Sequence, residues 1–322
     1  PVIHTASEAT AFARELQLLL RYLGASEANM EKGEMRVEAN ISISKDHTLG
    51  TKVEVKNLNS FKVVELAIQY EIERQTRLLE TGAQVEQETL GWDEEKQATY
   101  SQRKKENSHD YRYFPDPDLP KLDLSKIPEF TSETLEASLP ELPWKRRSRL
   151  NSVLNNPELV ETLTQSTVLG DFFDNVIQQA EVKENLVANY LTSDVLGLLK
   201  ERNLSIIHLS GLRTDEFAEI MNMIGKSELS SRGAKDVLAL WIEAGGSPRE
   251  LAEKNGFIQK NNDQDLAQYV SEVVDSHKQV VEEYLAGKEA ALQFLVGQGM
   301  KLSKGSANPA RLRELIELKI KR

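Results

Sequence analysis

The chain has 322 residues, 39% of them hydrophobic and 28% charged, a formal net charge of −11 and no cysteine. That length accommodates two or three domains with buried cores. The lack of cysteine excludes disulfides, thiolate zinc sites and a cysteine nucleophile, and the acidic balance argues against broad nonspecific binding to nucleic acid. The longest apolar runs, Leu18 to Leu20 and Val237 to Ile242, fall far short of a bilayer span, and no signal-peptide pattern opens the chain. A cytoplasmic globular protein with no membrane partner is the expectation.

The first expected element is a helix. Glu8 follows Ser7, and Ala9, Phe12, Ala13, Leu16, Leu20 and Leu23 recur at helical spacing before Gly24. This helix should lay its apolar stripe on the strands that follow. From Met35 to Ile43 and from Thr51 to Asn57 the pattern switches to period two. Met35, Val37, Ala39, Ile41, Ile43, Val53 and Val55 are apolar, whereas Arg36, Glu38, Asn40, Lys52, Glu54 and Lys56 are polar. Strict alternation means extended strands with one face on a core, and the seven residues between suit an antiparallel hairpin. If Ile43 opposes Thr51, Asn40 falls opposite Glu54 and Glu38 opposite Lys56.

Ser60 then caps a second helix with Phe61, Val64, Ala67, Ile68, Ile72 and Leu79 on one face, ending near Gly82. Weaker alternation returns at Gln84 to Leu90 and Ala98 to Arg103, and the proline-rich loop Asp110 to Pro120 and an acidic stretch to Leu142 read as a linker. From Pro143 the chain reads as successive helices. Asn156 with Pro157, Ser247 with Pro248 and Glu250, and Asn308 with Pro309 mark starts, while Gly225, Gly245 and Gly256 mark stops. The face Leu186, Val187, Tyr190, Leu191, Val195, Leu198 and Leu199 is core.

The familiar motifs fail. Gly225, Lys226 and Ser227 mimic the end of a P-loop, but Ile220 stands where its first glycine belongs; Gly297, Gly299 and Leu302 break a dinucleotide fingerprint. The five histidines are scattered, and no serine sits in a nucleophile elbow. What remains is the polar hairpin face, continued by Lys56, Asn57, Asn59 and Ser60 into a helix N-terminus that favours an anion. Carboxylates for magnesium beside cations for phosphate suit phosphoryl transfer, which needs positioning and charge neutralisation more than a covalent residue. The alternative is a solvated sheet face whose ion pairs add a few tenths of a kcal/mol. At the other end, Gly297 to Arg322 holds Lys301, Lys304, Arg311, Arg313, Lys319, Lys321 and Arg322 against Glu314 and Glu317, a local charge of +5 that suggests a polyanion partner.

Five blocks carry a resemblance: MEKGEMRVEANISIS (30–44), GTKVEVKNLNSF (50–61), HDYRYFPDPDLP (109–120), LVANYLTSDVLGLL (186–199) and FLVGQGMKLSKGSANP (294–309). In order and over nearly the whole chain, they resemble GatB, the B subunit of the aspartyl/glutamyl-tRNA amidotransferase. The resemblance implies an α+β architecture: a small antiparallel sheet with helices, forming the later part of a cradle domain (1–138), then an all-α helical domain (139–255) and a helical YqeY-like tail (256–322). It also implies a ligase, working in a heterotrimer with the amidase or A subunit and the small C subunit. ATP and Mg²⁺ serve to phosphorylate the side-chain carboxylate of Glu-tRNA(Gln) or Asp-tRNA(Asn), and ammonia from the amidase displaces phosphate. Glu54 and Glu38 match acidic positions of the family's pocket, so both are expected metal ligands, Glu38 standing where many relatives have aspartate. Lys56 and Arg36, with Glu54, are the expected catalytic set; Lys52, Asn57, Asn59 and Ser60 are expected at the nucleotide, and Lys301, Lys304, Arg311 and Arg313 at the tRNA. The family's cradle begins upstream of anything matched here, so autonomous kinase activity is not expected; a fragment of the same complex that binds tRNA and the other subunits is the alternative.

Overall fold

A computed structural model describes residues 3–46, 48–104, 114–259, 263–303, 305 and 307–321. His47, Lys304, and His109 with the Asp110–Tyr113 part of the aromatic loop, lie outside the described residues. The chain divides into two compact units, residues 1–146 and 147–322. No described helix is long and apolar enough to cross a membrane.

The first unit contains helix α1 (Ala6–Tyr22), strands β1 (Val37–Ile41) and β2 (Val53–Leu58), helix α2 (Phe61–Glu80), and strands β3 (Glu88–Asp93) and β4 (Ala98–Lys104). The four strands form one sheet in the order β1-β2-β3-β4. Both β1–β2 and β3–β4 are antiparallel, but β2 and β3 are parallel. The sheet is therefore mixed rather than antiparallel. Its cause is α2, whose 20 residues carry the chain back along the sheet so that β3 starts where β2 started. Val53, Val55, Leu58, Val64, Ala67, Ile68, Leu90 and Trp92 form the core between sheet and helix.

The start of α1 is set by its cap, and one local expectation is corrected. The cap of α1 is Thr5, which accepts from the Glu8 amide while Glu8 answers at the Thr5 amide, so the helix starts one residue before Ser7. The stripe of α1 does not rest on the hairpin: Phe12 is 59% exposed and Leu16 and Leu23 stay exposed, whereas Ala6, Thr10 and Ala13 are buried. The small residues allow α1 to pack on α2, and α2 covers the strands. A helix with apolar residues on two sides can bury only one against a single partner.

A buried polar network locks α2 to the sheet. The fully buried Glu71 carboxylate accepts from Arg74 Nε at 2.9 Å, from Gln75 Nε2 at 3.0 Å and from Thr99 of β4 at 3.3 Å. Gln75 also donates to the Ile41 carbonyl of β1, and Arg74 lies 3.8 Å from Glu88 of β3. Hydrogen bonding to Glu71, more than anything else, pushes the Arg74 guanidinium upward in pKa. Three strands thus share one helical anchor.

Beyond β4 the linker forms two single 3₁₀ turns and α3 (Ser132–Ser138), with Phe114, Leu119 and Leu122 exposed. The second unit is helical. After α4 (Pro143–Val153), which begins in the first unit, come α5 (Pro157–Gln165), α6 (Thr167–Ile177), α7 (Glu184–Asn189), α8 (Leu196–Glu201), α9 (Thr214–Gly225), α10 (Ser231–Ala244) and α11 (Pro248–Lys254). The chain ends in α12 (Asp263–Ser276), α13 (Lys278–Leu285), α14 (Glu289–Leu302) and α15 (Pro309–Ile320). Asn156 and Asn308 cap as their positions suggest, each accepting two backbone amides ahead of a first-turn proline. Gly245 and Gly256 take positive φ at helix ends, but Gly225 does not: a Cβ there would stand 2.4 Å from Val182 Cγ1, so close approach explains the glycine, and Ser227 makes the left-handed turn instead.

Among the described residues of this unit lie two apolar clusters, one built around Phe173, Leu191, Phe217 and Trp241 and the other around Leu266, Leu295, Leu312 and Ile316. The residues Val187, Leu191, Val195 and Leu199 are all buried at strict four-residue spacing. At 3.6 residues per turn that spacing would wind away from the core. A π-helical stretch, Tyr190–Val195, joins α7 to α8 and absorbs the extra residue, keeping the four on one line.

Candidate functional site

Antiparallel pairing of β1 with β2 sets Asn40 opposite Glu54 and Ile41 opposite Val53, the expected register. Near the strand end the register slips, with Ala39 opposite Val55 but Val37 opposite Leu58. Lys56 and Asn57 therefore share the space facing Glu38, a β-bulge, and Asn57 adopts φ 60°. Asparagine tolerates that left-handed conformation better than other chiral residues. The extra residue reverses the parity of β2, so that Leu58 joins the core while Asn57 and Lys56 both remain outside.

On this outer face four predicted residues meet. Arg36 Nη2 lies 3.5 Å from Glu38 Oε1, Glu38 Oε2 lies 3.7 Å from Lys56 Nζ, and Lys56 Nζ lies 3.6 Å from Glu54 Oε1. The side chain of Glu54 is 13% exposed, against about 35% for Glu38 and Lys56. A fifth residue, unforeseen from sequence, completes the chain: Thr89 Oγ1 of β3 donates to Glu54 Oε2 at 3.0 Å. The parallel register pairs Glu54 with Thr89 and Lys56 with Gly91. Gly91 leaves a gap over which Tyr100 and Gln102 of β4 lie, since a Cβ there would come within 2.7 Å of both. No local pattern marks Thr89, because its role depends on a strand pairing 35 residues distant.

The other predicted residues distribute differently. Asn57 and Asn59 line a small cavity of about 60 Å³ with Arg36, Glu38, Met30 and Met35. Ser60 Oγ accepts the Val63 amide as the cap of α2, and Lys52 is exposed just ahead of β2. In the hairpin loop, the Thr48 hydroxyl, and after it the Thr48 amide, holds the Asp46 carboxyl below its ordinary range. At the C-terminal end Lys301 is exposed, Arg311 pairs with Glu314 and Arg313 with Glu317 at 3.2 Å. The two tail glutamates thus sit on the two arginines.

The donor set suits a hard cation held jointly with a ligand. Glu38 and Glu54 converge on a single cation, the Lys56 ammonium, which stands in for one. Among the described residues no group of three or more acidic or histidine side chains converges. Two carboxylates are what Mg²⁺ ordinarily takes from a protein when phosphate oxygens and water supply the rest.

Residues 1–128 match the family described as the GatB/GatE catalytic domain, and residues 171–320 match the GatB domain. The B subunit of the aspartyl/glutamyl-tRNA(Asn/Gln) amidotransferase of Persephonella marina is 37% identical over 320 residues, covering 98% of this chain and 67% of that protein. The chain belongs to the GatB family. Its members from Gloeothece citriformis and Thermosynechococcus vestitus, also B subunits of that amidotransferase, are 37% and 39% identical, each match covering 99% of this chain. The chain spans 64% of the length of these two relatives. Arg36, Glu38, Glu54, Lys56 and Thr89 all fall in the segment that matches the catalytic domain, and Lys301, Arg311 and Arg313 fall in the GatB-domain segment.

Proposed function

We propose that the outer face of β1–β2–β3 is part of a phosphoryl-transfer site at which the side-chain carboxylate of a misacylated tRNA is activated. The convergence of Glu38 and Glu54 on one cation position, inside the segment that matches a catalytic domain, carries this reading. The carboxylate of Glu-tRNA(Gln) or Asp-tRNA(Asn) attacks the γ-phosphorus of ATP, and ADP leaves. Ammonia released by the amidase partner then attacks the acyl-phosphate carbon, and inorganic phosphate leaves with the C–O bond electrons. Glu54 and Glu38 are the residues that would hold Mg²⁺, which would supply charge neutralisation for the transferring phosphate.

The residues of this chain have distinct parts in that scheme. Lys56 gives up its place between the carboxylates and turns its ammonium to phosphate oxygens, and Arg36 offsets further negative charge. Lys52, Asn57, Asn59 and the N-terminus of α2 at Ser60 flank the nucleotide. Lys301, Lys304, Arg311 and Arg313 grip the tRNA backbone through charge. The reaction belongs to full-length GatB in its cytoplasmic complex with the amidase and the small C subunit, since this span is 64% of the length of several relatives.

The test is reconstitution of the complete complex with ATP, Mg²⁺ and Glu-tRNA(Gln). Glu54→Gln should cut tRNA-dependent ADP release by about 10²-fold or more, the scale of losing one electrostatic stabiliser. Lys301→Glu should weaken tRNA binding and flatten its dependence on salt. Full ADP release from Glu54→Gln would refute the site. If the complex containing the unsubstituted chain binds tRNA but never releases ADP, the chain is a fragment that only binds tRNA and its partners.

A further inference from the structure

We infer that Tyr100 is a stacking platform for an adenine ring whose ligand extends its reacting end toward Lys56 and Glu54. The inference rests on the phosphoryl-transfer reading and adds a base-binding surface to it. Strand register places the platform. Lys56 of β2 pairs with Gly91 of β3, and Gly91 pairs with Tyr100 of β4, so the three stand in one row across the sheet. Thr99 reaches the buried Glu71 on the side covered by α2, so its neighbour Tyr100 faces outward. At about 4.8 Å per strand, Tyr100 and Lys56 lie about 10 Å apart along the row. Gly91 brings no side chain between them. The ring lies down across this gap: a Cβ at Gly91 would stand 2.6 Å from Tyr100 Cζ and 2.7 Å from its hydroxyl oxygen, so the tip of a β4 side chain rests on the backbone of β3. Gln102 Nε2 donates to that hydroxyl at 3.2 Å and holds the tip in place. Tyr100 is nonetheless 47% exposed, because only one side of the ring rests on the sheet.

The row changes character along its length. Tyr100 and Gln102 are uncharged, whereas Lys56 and the Glu38 and Glu54 carboxylates beside it carry charge. A flat apolar base followed by a charged reacting end matches that gradient. Both ligands of the proposed reaction have this form. ATP carries adenine at one end and the transferring phosphate at the other, and an aminoacylated tRNA carries its amino acid on a 3′-terminal adenosine. Base–aromatic stacking needs only a flat exposed ring, and losing one stacked base costs about 5- to 150-fold in affinity. An aromatic ring over a cross-strand glycine also shields the strands. That structural role alters stability alike for every ligand, whereas stacking separates a ligand that has a base from one that lacks it.

The experiment uses the complete complex carrying Tyr100→Ala, Tyr100→Phe or Glu54→Gln. Equilibrium binding is measured for a non-hydrolysable ATP analogue, for inorganic tripolyphosphate as its competitor, and for tRNA(Gln) with and without its 3′-terminal adenosine. If the base of ATP stacks on the ring, Tyr100→Ala weakens the analogue about 5- to 150-fold and leaves tripolyphosphate unchanged. If the terminal adenosine of tRNA stacks there, Tyr100→Ala weakens intact tRNA by the same factor and leaves the shortened tRNA unchanged. Tyr100→Phe keeps the ring and should bind as wild type in either case. Equal losses for ligands with and without the base, or a loss in Tyr100→Phe as large as in Tyr100→Ala, would reduce Tyr100 to a packing residue and overturn the inference. Wild-type binding of every ligand by Tyr100→Ala, with ADP release lost in Glu54→Gln, would overturn the platform and leave the phosphoryl-transfer reading standing. Full ADP release from Glu54→Gln would instead refute that reading, and the platform with it.

Discussion

At the residue scale, the site depends on a conformation that only a few side chains accept. Alternation alone would send Asn57 inward, on the side of Val53 and Val55, and Leu58 outward. The bulge reverses this, with Asn57 at φ 60° and Leu58 2% exposed. Asn57 then joins Lys56 on the side of Glu38, where the Lys56 ammonium lies 3.7 Å from Glu38 and 3.6 Å from Glu54. Replacing Asn57 by Val should cost about 1–2 kcal/mol, the strain of a left-handed backbone made worse by β-branching. Asn57→Gly should stay within a few tenths of wild type. Chemical denaturation of the two variants measures the difference, and equal stability would show that the bulge carries no strain. Period two excludes a one-residue slip, and with Ile43 set opposite Thr51 it gave the pairing of Asn40 with Glu54 that the sheet adopts. The bulge was not, because a single left-handed asparagine has no periodic trace.

At the scale of elements, α2 determines more than its own hydrophobic face suggests. Its apolar positions Val64, Ala67 and Ile68 were readable as a core stripe and are buried. Its polar positions Glu71, Arg74 and Gln75 interrupt that stripe, yet Glu71 and Gln75 are fully buried and reach β1 and β4. Removing one partner of a buried ion pair leaves the other uncompensated. Arg74→Met should accordingly destabilise the first unit by about 3 kcal/mol, with a double substitution Glu71→Leu and Arg74→Met recovering much of the loss. Thermal unfolding would decide this, and a neutral Arg74→Met would show that Gln75 and Thr99 satisfy the carboxylate by themselves. The same crossover makes β2 and β3 parallel and so brings Thr89 to Glu54. A hairpin-only reading of the strands has no means of producing that contact.

At the scale of the whole molecule, the described residues form three separate apolar clusters, one in the first unit and two in the second. Cores that do not merge unfold with limited cooperativity. Calorimetry should therefore resolve more than one transition. Leu191→Ala, at a fully buried position, should destabilise its own transition by about 2–5 kcal/mol and leave the one lowered by Arg74→Met in place. A single transition shifted equally by both substitutions would contradict separate cores. By itself the sequence determined what short-range periodicity and capping chemistry encode: the two alternating strands, the caps at Ser60, Asn156 and Asn308, the buried line from Val187 to Leu199, and motifs dense enough to mark the family. Only the tertiary structure decided what rests on contacts between distant segments. Those are the parallel pairing of β2 with β3, the exposure of Phe12 on a helix with two apolar sides, the π turn that keeps Val195 on its line, and the hydroxyl of Thr89 behind Glu54. Each follows from where the chain returns in space, a choice made by packing all elements together rather than by any one stretch of residues.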